Sequence, residues 1–90
     1  MDRLEVIFHG KVQGVWFRAN CQRKAIELGL RGWVKNLPDG SVKAVIEGSR
    51  PIIEEHLEWN RHYQPYARVD HVDTKWSRSS GEFSSFTIQR

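Results

Sequence analysis

The apolar residues of this chain change their spacing abruptly between Phe8 and Phe17, and few folds accommodate such a change at that point. Leu4, Val6 and Phe8 alternate with Arg3, Glu5, Ile7 and His9, which predicts a strand over residues 3–12 with one strongly apolar face. From Phe17 the period is helical: Phe17, Cys21, Ala25 and Leu28 fall on one stripe, and Gly29 is a stop signal. Leu30 to Asn36 reads as a second strand. Leu37-Pro38-Asp39-Gly40 reads as a tight hairpin turn, and Val42, Ala44 and Ile46 alternate in a third strand. Ser49 suits the cap of a second helix, with Pro51 tolerated in its first turn. Ile53, Leu57 and Asn60, with Ile52 and His56, outline that helix to about residue 61; Arg61 and His62 suit the negative end of its dipole. Pro65 returns the chain to extended structure. Residues 67–76 form a fourth strand in which Val69 is out of phase with Val72, Thr74 and Trp76; residues 77–82 are a polar loop, and Phe86 with Ile88 marks a short last strand.

The order β-α-β-β-α-β specifies an α+β class, the ferredoxin-like sandwich: a mainly antiparallel sheet with two helices on one face, here with an extra C-terminal strand. A chain of 90 residues closes one core, so residues 1–90 are expected to form a single domain, with a monomer as the default. The topology runs strands one and two parallel with strand three between them. Their C-terminal ends therefore share one edge of the sheet, roughly 10 Å apart. The loop from Lys11 to Arg18 and the end of strand two at Asn36 should meet there.

Hydrophobic residues make up 39% and charged residues 28% of the chain, which fits a soluble globule. No apolar run approaches the ~20 residues of a membrane span. The charges in Met1-Asp2-Arg3-Leu4-Glu5 argue against a signal peptide. The lone Cys21 cannot form an internal disulfide, and with four scattered histidines it offers no zinc-ligand spacing, so no metal or cofactor is expected and the compartment reads as cytoplasmic. The net charge of +3 is uneven: residues 1–43 carry eight cations against four anions. An anion should bind the N-terminal half.

The segment Gly10-Lys11-Val12-Gln13-Gly14-Val15-Trp16-Phe17-Arg18 joins a strand to a helix N-terminus. Successive N–H groups in such a loop can line a concave anion site that the helix dipole favours. Gly14 permits close approach of backbone to ligand. Arg18, in the first helical turn, can fork onto two phosphate oxygens, while Val15 and Phe17 anchor the loop in the core. A tight connection with a solvated arginine would use the same residues. The segment is not a P-loop, because no Gly-Lys-Ser/Thr follows.

Gly10-x-Val12-Gln13-Gly14-Val15-x-Phe17-Arg18, followed by Gly32-Trp33-Val34-Lys35-Asn36-x-x-x-Gly40-x-Val42 and Gly48, resembles the acylphosphatases. Pro65-Tyr66-Ala67-Arg68-Val69 and Phe86-x-Ile88 are similar to the C-terminal part of that family, so the likeness spans essentially the whole chain. Phe8 stands where the family usually has a smaller aliphatic residue, and Trp16 stands at a variable position beside the expected site mouth. The resemblance implies an enzyme that hydrolyses the carboxyl–phosphate bond of a small acyl phosphate. It makes Arg18 the phosphate-binding residue, has the loop of Gln13, Gly14, Val15, Trp16, Phe17 and Arg18 supply the amides, and makes Asn36 the residue that holds the attacking water.

Other polar residues have plainer readings. Cys21 lies on the helical stripe and should pack in the core. His71 beside Asp70 suggests a triad, but no Gly-x-Ser-x-Gly accompanies it, so a surface strand position is expected. His56 and His62 are off register for shared ligation, and Glu54, Glu55 and Glu58 should form a solvated helix face. Trp16, Trp33, Trp59 and Trp76 are expected in core or edge packing. The alternative function is an RNA- or anion-binding module of the same fold, suggested by Arg31-Gly32-Trp33. That tripeptide falls on strand two and lacks the later aromatics of the RNA-recognition motif, so no nucleic-acid partner is expected.

Overall fold

The computed structural model describes all 90 residues. The elements are β1 (Asp2–Lys11), α1 (Phe17–Glu27), β2 (Arg31–Asn36), β3 (Val42–Gly48), α2 (Arg50–His62), β4 (Arg68–Arg78) and β5 (Phe86–Gln89). The sheet order is β4-β1-β3-β2-β5. β3 pairs antiparallel with both β1 and β2, so β1 and β2 run parallel to each other, as the element order requires. β4 closes one edge antiparallel to β1, and β5 closes the other parallel to β2.

Alternation along β1 buries Leu4, Val6 and Phe8 completely. They meet Phe17, Cys21 and Ala25 of α1 and Ile53 and Leu57 of α2 in one cluster. The Phe8 and Phe17 rings lie 5.0 Å apart, tilted by 57°, and such a contact is worth about 1 kcal/mol beyond its buried area. It fixes the start of α1 over β1, just after the loop that carries the polar motif.

The phase break at Val69 has a local cause. Between His9 and Gly10 the β1–β4 register slips: His9 pairs with His71 but Gly10 with Val69, which leaves Asp70 as an extra residue in β4. Gly10 adopts φ +128°, and a Cβ there would stand 2.3 Å from the Arg68 carbonyl oxygen. β4 also runs on to Arg78, past the expected end at residue 76, because Asp2 pairs with Arg78. Leu28 is the C-cap of α1 and only half-buried, so the stripe ends at Ala25. Ser49 does precede α2, but its side chain makes no capping bond; its carbonyl instead accepts from the Ile52 and Ile53 amides at 3.1 and 3.0 Å.

A buried polar chain joins the two helices. The His56 Nε2–H donates to the Cys21 carbonyl at 2.9 Å, and Asn60 Nδ2 donates to the His56 carbonyl at 2.9 Å. Gln64 Nε2 donates to Asn60 Oδ1 at 2.9 Å and to the Phe17 carbonyl at 3.0 Å. The far end of α2 is thereby tied to the first residue of α1. Burial pushes the Cys21 thiol far up, so it stays protonated and packs as an apolar residue.

Burial also holds the His56 imidazole down, from 6.5 to about 4, with Lys24 acting in the same direction and the Cys21 carbonyl opposing. Its Nδ1 is buried without any partner, so a second proton has nowhere to bond. The unfolded chain binds that proton from pH 6.5 downward and the folded chain does not. Stability should therefore fall by about 2 kcal/mol between pH 7.5 and pH 5 through this residue alone. Urea unfolding at the two pH values measures the fall; an equal fall in His56→Leu would assign it elsewhere.

Candidate active site

Between β1 and α1 the chain folds back through Val12, Val15 and Phe17, which are 1%, 7% and 1% exposed and pin the loop to the core at three points. Gly14 takes φ +73°, and the space beside its Cα is open. Trp16 precedes α1 in the left-handed region, at φ 63° and ψ 19°. The N–H groups of Gln13, Gly14, Val15 and Trp16 donate to no other backbone group, which leaves a run of free donors ahead of the helix.

The facing wall is the β2–β3 hairpin. Leu37 N–H donates to the Ser41 carbonyl at 2.9 Å and Gly40 N–H to the Leu37 carbonyl at 3.2 Å. The Asp39 carboxylate accepts from the Ser41 hydroxyl and from its N–H, and these bonds hold its pKa below the ordinary carboxylate value. The two walls are bolted together by Gln13, whose Nε2 donates to the Leu37 carbonyl at 2.9 Å and the Ser41 carbonyl at 2.8 Å. The Gln13 side chain thus fixes the distance between loop and hairpin, while its backbone remains a loop donor. Gln13→Ala should lower the thermal midpoint by roughly 8–16 °C, as two part-buried bonds of about 1 kcal/mol each are lost. A midpoint within 1 °C of wild type would refute the tether.

Between the walls lies a cleft of about 380 Å³. Gln13, Gly14, Trp16, Phe17 and Arg18 line one side, and Asn36 lines the other. Arg18 and Asn36 thus share one cavity, although two strand spacings separate their strands at the sheet edge. The Arg18 guanidinium forms no ion pair, unlike Arg3, Arg50, Arg61 and Arg68. Asn36 Oδ1 is buried and hydrogen-bonds to no protein group. A free cation, free amides and an orphaned acceptor in one cleft are what a tetrahedral oxyanion plus one water would complete.

Four lining residues lie outside the expected set: Val12 and Ala19, which flank the loop in sequence, and Ile88 and Arg90, which come from far along the chain. The last two belong to the end of the chain, where β5 lies parallel to β2 and so finishes at the same edge as Asn36. The short strand was visible in Phe86 and Ile88; its partner and direction were not. Val15 supports the loop from the core and does not line the cleft.

The histidine–aspartate pairing lies elsewhere. His9 Nε2 and His71 Nε2 contact the two oxygens of Asp73 at 2.8 and 2.9 Å, and neither histidine lines the cleft. Hydrogen bonds from His9 and then His71 hold the exposed Asp73 carboxyl below its ordinary value. Trp33, Trp59 and Trp76 are half-buried, with Arg50 stacked 4.1 Å over Trp76. Trp16 breaks the expected packing role: it is 74% exposed. The open face of the sheet carries Glu5, Ile7 and His9 on β1 and Lys43, Val45 and Glu47 on β3; Trp33 of β2 lies on this face beside Val45 but is half-buried and has no second Phe, Tyr or Trp on β1 or β3 beside it, so the RNA-binding alternative is not favoured.

Residues 4–88 match the sequence pattern of the family described as Acylphosphatase. A protein named acylphosphatase from Methylococcus capsulatus is 48% identical over 90 residues, covering 100% of this chain and 98% of its own. The crystal structure of acylphosphatase from Bacillus subtilis superposes with a TM-score of 0.95 at 33% identity, covering 100% of both chains. The structure of an acylphosphatase from Coxiella burnetii gives 0.89 at 38% identity, covering 98% of this chain and 93% of that one. The matched span runs from β1 into β5 and takes in both walls of the cleft, and on that extent of agreement the chain belongs to the acylphosphatase family.

Proposed function

We propose that this chain hydrolyses acyl phosphates to a carboxylate and inorganic phosphate, with Arg18 and the amides of the 13–18 loop holding the phosphoryl group and Asn36 orienting the attacking water. The observation that carries the assignment of roles is the pairing, in one cleft, of an unpaired Arg18 guanidinium with a buried Asn36 Oδ1 that has no protein partner.

The chemistry suits so spare a site. Water oxygen attacks phosphorus while the bond from phosphorus to the acyl oxygen breaks, and the electron pair leaves on a carboxylate. A carboxylate is a good leaving group, so a strong general acid is not needed. The difficulty is bringing water to a phosphorus surrounded by negative oxygens. Fixed N–H groups and a guanidinium spread over those oxygens hold the charge without reorganising during the step. Asn36 accepts a hydrogen bond from water and so aims the nucleophile without changing its own charge. No side-chain base with a pKa near neutrality lines the cleft. In this reading the water's proton passes to a phosphoryl oxygen of the substrate, giving dihydrogen phosphate and the carboxylate.

No helix of the chain is long and apolar enough to cross a membrane. The reading places a single-domain, monomeric enzyme in the cytoplasm, acting on small molecules without nucleic acid. Phosphate release from a simple aromatic acyl phosphate, with chelator present, tests the assignment in wild type, Arg18→Ala and Asn36→Ala. Turnover by wild type that collapses in both variants is expected; full turnover in either variant removes that residue from its role.

A further inference from the structure

The cleft is larger than a phosphate requires. A site of about 380 Å³ equals roughly a dozen water volumes at about 30 Å³ each, and it falls in the range of pockets that hold organic ligands. Half of its lining residues are apolar, Trp16, Phe17 and Ile88 among them. A phosphoryl group uses none of that apolar surface, so the remaining room is shaped for the other half of the substrate.

Trp16 is the unexplained element of that surface. Its indole is 74% exposed, stacks on no other aromatic ring or cation, and makes no hydrogen bond within the protein. Its backbone sits at φ 63°, a region costly for a bulky residue and open to glycine or asparagine. The turn into α1 explains the left-handed backbone but not the choice of side chain. Neither packing nor turn geometry calls for tryptophan at this position, whereas a planar apolar platform at a cleft mouth does. Ile88, half-buried at the end of β5, supplies a second apolar surface of the same cleft.

We propose that Trp16 and Ile88 form the acyl-group subsite, and that it selects acyl phosphates with a planar aromatic or similarly bulky apolar acyl group over short aliphatic ones. This rests on the phosphate assignment above, because the phosphoryl group must be seated in the 13–18 loop for its acyl substituent to reach the indole. The subsite acts by burying acyl surface and stacking on it, so its contribution should appear in substrate preference.

The test compares benzoyl phosphate with acetyl phosphate in wild type, Trp16→Gly and Trp16→Phe, with inorganic phosphate as competitive inhibitor. Glycine keeps the left-handed backbone and removes the ring; phenylalanine restores an aromatic face. Trp16→Gly should lower the benzoyl-to-acetyl ratio of kcat/KM by about tenfold, the equivalent of about 1.4 kcal/mol. The change should lie mainly in KM for the benzoyl compound, and Trp16→Phe should recover most of the ratio. An unchanged ratio in Trp16→Gly, including an equal loss on both substrates, overturns the subsite and leaves the phosphate assignment standing. Failure of wild type to hydrolyse either compound, or to be inhibited by phosphate, overturns both.

Discussion

Arg18→Lys is expected to lower kcat/KM for an aromatic acyl phosphate by about two to three orders of magnitude, although the positive charge is kept. That is the scale on which removal of a preorganised donor acts at a developing oxyanion. Guanidinium offers a planar fork that meets two phosphoryl oxygens together, whereas ammonium is a point charge on a flexible stem. The Lys variant therefore separates geometry from charge. Folding should not confuse the result. Arg18 has no ion-pair partner in the protein, and its neighbour Phe17, not Arg18, holds the start of α1 in the core. The thermal midpoint should stay within about 2 °C of wild type, because nothing buried is left unpaired. Inorganic phosphate should inhibit the variant more weakly. Retention of most activity would show that Arg18 is a solvated surface cation.

How far the sequence reveals such a site depends on whether its parts are encoded locally. The strand–loop–helix of residues 2–27 is legible because periodicity and loop chemistry share one short stretch. Leu4, Val6 and Phe8 mark one face of β1, and Phe17, Cys21 and Ala25 mark the buried stripe of α1. That Arg18 and Asn36 stand at one edge of the sheet follows from topology, since β1 and β2 must run parallel about β3. The rest depends on contacts made at long range. The Gln13 side chain reaches carbonyls 24 and 28 residues away, and no pattern near Gln13 announces them. Ile88 and Arg90 enter the cleft because β5 adds parallel to β2, a choice that four residues of strand do not encode. The loop before β5 is held from a distance as well. Glu47 accepts from the Ser80 N–H and hydroxyl at 2.8 and 3.0 Å and from the Gly81 N–H at 3.2 Å. Burial would raise the Glu47 carboxyl, but these bonds and Arg3 together hold it below its ordinary value. Trp16 departs from the packing expected of a tryptophan for a related reason: it stands at φ 63° ahead of α1 and is 74% exposed at the cleft, and neither the backbone conformation nor the cleft is encoded in its neighbours.

Asn36→Ala should separate binding from turnover, and for that reason it is the sharper of the two large effects. The Oδ1 of Asn36 is buried at the end of β2 without a protein partner, and leaving such an acceptor unbonded costs about 1–3 kcal/mol. A water held there recovers that bond and is aimed at phosphorus in the same act. Alanine removes both the orphaned acceptor and the water's anchor. The folded state should lose little stability, since an unsatisfied group disappears with the side chain. The step that needs an oriented nucleophile should slow by about two to three orders of magnitude in kcat, the range that positioning and preorganised hydrogen bonding supply. Inorganic phosphate should still bind within about twofold, because its oxygens are held by Arg18 and the loop amides. Asn36→Asp sharpens the comparison: the carboxylate can still accept from water, but its charge faces the phosphoryl oxygens, so phosphate inhibition should weaken along with turnover. A loss confined to KM in Asn36→Ala, with kcat intact, would make Asn36 a phosphate ligand and leave the water without an orienting group.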